Sequence, residues 1–415
     1  MYATIYHAVY DIFGVQLPGL MLVQSFGFFV AIAFLACAFV FARELNRREA
    51  KVLTVRKHRK VELGKKPGFG DVFGTALFGF LLGFKFMGMS GEVPEDFSPQ
   101  NFMFSLEGSW LTGILMAALF GGIHWWILNR KALPEPKTVV EPVKPSEHVA
   151  NMTLIAGLFG FLGAKIFHVL ENIPSFTGEN GGERLSDTLF SFSGLTMYGG
   201  LILGSIAVLV YARRHKMRLL HVMDACAPGL MLAYGIGRIG CHVSGDGDWG
   251  IVNTDPMPGW LSFLPDWMWA YDYPNNVNQV CNPWPGYDPH YSETLCNFSD
   301  TPHLVLPVFP TPLYEAIMCI SIFIVLWRIR KKFAVPGLLF SIYLVFNGTE
   351  RFFIELIRQN EILFHLGGWG VTQAEMIAFG LVLTGVAGIW WTRKRFAAQP
   401  EEAAPVDEAP ETANA

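Results

Sequence analysis

Nine apolar runs alternate with polar stretches along this chain, at approximately 19–42, 68–89, 110–129, 149–170, 195–212, 219–240, 312–327, 336–357 and 372–392. Most approach the roughly 20 residues that a helix needs to cross a hydrocarbon core, and each predicts one transmembrane helix. The run at 312–327 is short, and local bilayer thinning or an apolar lead-in from Leu304 makes up the difference. Lys and Arg follow the same period. They gather in Arg43 to Lys66, Arg130 to Lys144, Arg213 to Arg218, Arg328 to Lys332 and Arg393 to Arg395, each after an apolar run. The alternate loops carry carboxylates and almost no cations. The positive-inside rule then predicts an all-α polytopic membrane protein of about nine transmembrane helices, N-terminus out and C-terminus in.

Composition agrees with that pattern. Hydrophobic residues make up 52% and charged residues 16% of 415 positions, too apolar for a soluble domain when the apolar residues come in long runs. The net charge of -4 identifies no partner, because opposite charges are sorted to opposite sides, and nothing marks nucleic-acid binding. Residues 1–18 lack a basic leader and a small-residue cleavage site, so the first run is expected to be retained. Four regions follow: 1–67, a first helix with a basic inner loop; 68–147, a helical hairpin with a Pro-rich linker at 132–147; 148–396, the membrane core; and 397–415, an acidic disordered tail. Leu77 to Leu81 with Gly83 and Lys85 recurs as Leu158 to Leu162 with Gly163 and Lys165. A duplicated hairpin and chance similarity both account for that echo.

The outer loop 241–311 is too long and too aromatic for a plain connector, with Trp249, Trp260, Trp267, Trp269, Trp284, Tyr271, Tyr273, Tyr287 and Tyr291 among Pro, Asn and Asp. It is expected to form a head at the membrane surface. Cys281 and Cys296 alone lie wholly outside the spans on that side, and an oxidising exterior predicts a disulfide between them.

Five cations sit within or at the edges of apolar runs: Lys85, Lys165, Arg238, Arg351 and Arg358. Each costs about 2.5–3.5 kcal/mol at a helix centre on insertion scales, so each calls for a reason. Arg238 lies in Gly237-Arg238-Ile239-Gly240-Cys241-His242-Val243-Ser244-Gly245-Asp246-Gly247-Asp248-Trp249-Gly250, where glycines allow close packing and the Gly/Ser/Asp run turns the chain back over a cavity. A guanidinium fork there suits phosphodiester oxygens; the plainer alternative is an arginine that snorkels to the interface. Arg351, Glu355 and Arg358 share one helical face. Tyr198 precedes the Gly199-Gly200 pair, Glu315 stands one turn into the run opened by Pro310-Thr311-Pro312, and Asp224 reads as a packing residue near the inner end of its span.

These elements together resemble the bacterial prolipoprotein diacylglyceryl transferases. The resemblance rests on Gly163-Ala164-Lys165, on Tyr198-Gly199-Gly200-Leu201, on Asp224 leading to Gly237-Arg238-Ile239-Gly240 and Trp249-Gly250, on Pro310 to Glu315, and on Arg351-Phe352-Phe353-Ile354-Glu355 with Arg358-Gln359 and Gln373. It covers the first helix and 149–392, leaving 68–147 as a hairpin added to the family's seven-helix core. The resemblance implies transfer of the sn-1,2-diacylglyceryl group from phosphatidylglycerol to the lipobox cysteine of prolipoproteins, as a thioether, with release of glycerol phosphate. It implies an inner-membrane protein with a periplasmic head, partnered by phosphatidylglycerol, prolipoprotein signal peptides and membrane lipids, and without cofactor or metal. Arg238, Arg351 and Tyr198 would be catalytic. Arg238, Arg351, Gly199, Gly200, Cys241, His242, Asp246, Gly250 and Glu355 would bind substrate.

The chain also departs from the family. Tyr198 stands where a histidine is common, and a phenol with a pKa of about 10 is a poor base at neutral pH. Cys241 replaces an asparagine, Asn347 a tyrosine, and Ser25-Phe26-Gly27 a Trp-Tyr-Gly. His242 and Asp246 are the nearest substitutes for the base. A secondary transporter, or a non-catalytic lipid-binding protein, would also keep buried arginines.

Overall fold

The computed structural model describes residues 1–87, 89, 99–173, 196–281, 303–360, 362–367, 369–396 and 406–407. Helices occupy all nine predicted segments. After a short helix α1 (Ile5–Phe13) come α2 (Ser25–Arg47), α3 (Phe69–Leu82), α4 (Trp110–Arg130), α5 (Val149–Glu171), α6 (Met197–Arg214), α7 (Leu219–Ser244), α8 (Thr311–Ile329), α9 (Leu338–Glu355) and α10 (Gln373–Phe396). Seven of the nine helices α2–α10 are long and apolar enough to cross a membrane. The other two, α6 and α9, are 18 residues each; α6 ends on Arg213 and Arg214, and α9 carries Glu350, Arg351 and Glu355. The chain is a mostly helical, polytopic membrane protein.

Small residues decide which helices pair. A Cβ at Gly199 of α6 would overlap the Gly163 carbonyl of α5, and one at Gly200 would stand 2.9 Å from the Gly160 carbonyl oxygen. Gly79 of α3 meets the Met116 carbonyl of α4, while Gly83 meets the Thr112 carbonyl. The two copies of the sequence echo thus use their glycines for the same purpose, close approach to the next helix. Beyond Gly83 the helix widens into a π-turn, Gly83–Met87. Lys85 in that turn donates to the carbonyls of Phe102, Ser105 and Glu107 at 2.5, 2.7 and 2.9 Å. Its charge is thereby satisfied by backbone.

Helix α7 is the centre of the molecule, packed against α2, α8 and α9. Met231, Cys319, Leu326 and Leu339 form the core between α7, α8 and α9. At the end where α7 begins, Asp224 accepts from the Gly337 and Phe340 amides at 3.0 and 2.9 Å, capping α9, and pairs with Arg48 at 3.0 Å. Glu44 joins Arg47 at 2.5 Å and Arg330 at 2.6 Å nearby. Asp224 is therefore a structural residue.

Short ribbons supplement the helices. The segment read as a linker contains a strand: β1 (His58–Leu63) pairs antiparallel with β2 (Lys137–Pro142), joining the basic loop to the end of the hairpin. The described part of the chain is therefore not purely helical. A second antiparallel pair, β3 (Ile362–Leu366) and β4 (Trp369–Thr372), connects α9 to α10. The first ribbon is built of β-branched and charged residues and the second of apolar strands only five and four residues long, so a search for runs of membrane-spanning length passes over both. Of the tail expected to be disordered, only Val406–Asp407 is described, as a strand beside Val55–Arg56.

The loop between α7 and α8 folds on an aromatic core of Trp249, Tyr273, Leu304 and Val308. Trp284, Tyr287, Tyr291 and Cys296 lie outside the described residues. Cys281 is disulfide-bonded.

Candidate active site

The site begins where α7 stops. Gly245 ends the helix in the left-handed conformation at φ 64°, and Gly247 follows at φ 97°, a pair of positions that favour glycine. The chain reverses there and brings Asp248 back over Arg238 on the last turns of α7. Thr311, the first residue of α8, donates its hydroxyl to the Asp248 carbonyl at 2.8 Å. Gly250 then bonds to the Phe309 carbonyl and Ile251 to the Ile357 carbonyl, both at 2.9 Å. These bonds tie the loop to the beginning of α8 and the end of α9. A Cβ at Gly250 would stand 2.5 Å from the Ile357 carbonyl oxygen, so this glycine serves backbone approach.

Three guanidiniums and three carboxylates meet in this corner. Arg238 pairs with Glu315 through Nε and with Asp248 through Nη1. Arg351 reaches the other Glu315 oxygen at 3.3 Å and Glu355 at 3.1 Å. Arg358, just past α9, pairs with Asp248 and lies 3.5 Å from Glu315. Tyr234 donates to Glu315 at 3.4 Å. Glu355 accepts from Thr372 at 2.7 Å and Asn360 at 2.6 Å, which orients it toward Arg351. The arginine side chains are only 10%, 17% and 11% exposed, so little water screens the network.

The acids of the covering loop titrate in opposite directions. Burial alone would raise Asp248, but Arg238 and Arg358 outweigh it and hold the carboxyl below the usual carboxylate range. Asp246 is pushed up, first by burial and then by the Asp248 charge. The ligand atoms of Cys241, Asp246 and Asp248 lie within 4.8 Å of one another. A cation set among them would meet the Arg238 guanidinium, 3.6 Å from the Cys241 sulfur. The guanidinium there disfavours a cation.

Of the residues singled out from sequence, Arg238, Arg351 and Glu355 come together, with Cys241 and Asp246 beside them. His242 does not join them: its Nδ1 lies 3.2 Å from the Tyr273 hydroxyl, and its ring stacks on Trp267. Tyr198 is half-buried at the start of α6 and has no hydrogen bond to the cluster among the described residues, while Gly199 and Gly200 are taken up by α5. Sequence reasoning left Glu315, Asp248 and Arg358 off the list. Glu315 had a signal, a carboxylate one turn into an apolar run. Arg358 had its helical spacing from Arg351. Asp248 had little beyond its place in a Gly/Asp run.

The fold and the corner together define a polytopic membrane protein with a buried, arginine-rich site at one end of its bundle. The chain belongs to the prolipoprotein diacylglyceryl transferase family, whose family model matches residues 105–391. A relative from Leptospira interrogans, a phosphatidylglycerol–prolipoprotein diacylglyceryl transferase, is 29% identical over 306 residues, covering 67% of this chain and 81% of the relative. Proteins of the same description are 29% identical over 256 residues in Erwinia tasmaniensis (60% of this chain, 78% of the relative) and 28% over 217 residues in Burkholderia orbicola (51% and 67%).

Proposed function

We propose that this protein transfers the diacylglyceryl group of phosphatidylglycerol to the cysteine thiol of prolipoproteins. The observation that carries the reading beyond family membership is the convergence of Arg238, Arg351 and Arg358 on one closed corner. The reaction forms a bond between the thiol sulfur and a glyceryl carbon and breaks that carbon's bond to a phosphate oxygen. Charge gathers on the departing glycerol phosphate, and guanidiniums aimed at it favour the transition state over the ground state. Asp248 engages Arg238 with one oxygen and Arg358 with the other, which is how two phosphodiester oxygens would bind. The carboxylates hold the guanidiniums in place until the lipid headgroup exchanges for one of them.

In this reading Arg238 and Arg351 are catalytic and Arg358 and Glu355 support them, with Cys241 and Asp246 at the rim. Tyr198 positions substrate. The protein spans the bacterial cytoplasmic membrane nine times, N-terminus out, with the head formed by 241–311 on the periplasmic side, where signal peptides present their lipobox cysteine. A transporter reading is weaker, because its site should lie near the midplane of interrupted helices, whereas Arg238 and Glu315 stand near helix ends. The test is a reconstitution with phosphatidylglycerol and a lipobox peptide. Thioether formation with release of glycerol phosphate is the expected result. Lipid binding without product would mark a non-catalytic protein and overturn the proposal.

A further inference from the structure

Among the described residues five carboxyl side chains belong to the corner or its rim: Asp248, Glu315 and Glu355 hold guanidiniums, Asp246 accepts from the Asp248 amide, and Glu350 does neither. Glu350, next to Arg351 near the end of α9, is 3% exposed, and neither of its oxygens has a hydrogen-bond partner among the described residues. Glu315, Arg351, Arg238 and Arg358 all lie within its electrostatic reach. Tyr234 of α7, Cys319 of α8 and Tyr343 of α9 feel its charge from around it. A carboxyl buried without donors is expensive to keep, and this one borders the place where charges must change during the reaction.

Thioether formation has a proton to dispose of. The sulfur electron pair forms the new S–C bond, the C–O electron pair leaves on the phosphate, and the thiol proton needs an acceptor. Glu315, Asp248 and Glu355 are poor acceptors, because their ion pairs stabilise the charged form. Asp246 is engaged by the Cys241 thiol and the Asp248 amide. His242 faces the aromatic core of the head, and Tyr198, half-buried at the start of α6, has no hydrogen bond to the cluster among the described residues. Resting on the transferase reading, we propose that Glu350 is the catalytic base, taking the proton from the prolipoprotein thiol as sulfur attacks the glyceryl carbon. The departing phosphate is held by the three arginines while Glu350 becomes neutral, so the corner gains no net charge from the proton.

The experiment compares two lipobox peptides, one with cysteine and one with selenocysteine, on the full-length protein in phosphatidylglycerol vesicles. A selenol is already ionised at neutral pH and needs no base. Glu350→Gln keeps the shape of a protonated carboxyl, so thermal stability should match the parent and KM for phosphatidylglycerol should stay within about threefold of it. Its kcat on the thiol peptide should fall at least about 100-fold, the usual scale for losing a general base, and its kcat on the selenol peptide should stay within several-fold. Glu350→Asp, which keeps the carboxyl, covers the case in which glutamine prevents folding: it should slow the thiol reaction alone. Retention of thiol activity by Glu350→Gln, or equal loss on both peptides in the variant that folds, overturns the role of Glu350 and leaves the transferase reading standing. A parent protein that makes no thioether overturns both.

Discussion

Arg238 of α7 and Arg351 of α9, far apart in sequence, grip opposite oxygens of one carboxylate: Glu315 gives Oε2 to Arg238 and Oε1 to Arg351, the latter at 3.3 Å. Glu315 is 0% exposed and is the hub through which α7, α8 and α9 set the spacing of the guanidiniums.

Removing that hub should cost more than removing an arginine contact at the rim. Glu315→Gln leaves buried guanidiniums short of one charge, and breaking such a pair costs about 3–5 kcal/mol. A large fall in thermal stability of the detergent-solubilised protein is expected. Unchanged stability would show that water or another carboxylate compensates.

Arg238→Lys should lower thioether formation by about 100-fold or more, because an ammonium cannot reproduce a planar fork that spans two partners. Tyr198→Phe should retain at least roughly a third of parental turnover, since a hydroxyl outside the cluster has only positioning to contribute. Steady-state rates on phosphatidylglycerol vesicles check both, and complete loss in Tyr198→Phe would reinstate the phenol as an essential group.

The two aspartates of the covering loop should respond to pH with opposite signs. Asp248 is depressed in the folded protein, so its stabilisation is present above its unfolded pKa, near 4, and is lost as pH falls through the lower folded value. Asp248→Asn should destabilise at neutral pH, and the difference from the parent should vanish in strong acid. Asp246 is raised, so its contribution is greatest below the unfolded pKa and disappears as pH rises through the folded one. Asp246→Asn should be neutral or stabilising at pH 7, and stability curves between about pH 3 and 8 separate the two.

Cys281 is disulfide-bonded, and Cys296 is the proposed partner. A closed loop of about 15 residues contributes roughly 3 kcal/mol, so reduction should loosen the head before it unfolds the helices. Peptide mapping without reductant should recover one cross-linked pair. Recovery of both as free thiols would contradict it.

Packing of α5 on α6 should tolerate no side chain at its contact. Gly163→Val places a branched chain against the Gly199 carbonyl and should cost about 1–3 kcal/mol. Gly157→Ala, whose Cβ would meet nothing within 4 Å, is the control and should be silent.

The sequence by itself determined where the helices lie, that the chain is a membrane protein, and which family it resembles. Hydrocarbon imposes this directly: a span must be about 20 apolar residues long, and a buried cation needs a reason to be there. The tertiary structure alone decided which charges meet. Whether Arg238 finds Glu315, Arg48 finds Asp224 or His242 turns toward Tyr273 depends on the rotation and pairing of helices that are distant in the chain. Local spacing carries no record of that. Asp248 was hidden among loop acids because a turn at Gly245 and Gly247 brings it back over Arg238. Glu350 was visible as a letter beside Arg351, but only packing shows that it alone among the corner's described carboxyls has no donor, because an unsatisfied group is defined by what surrounds it.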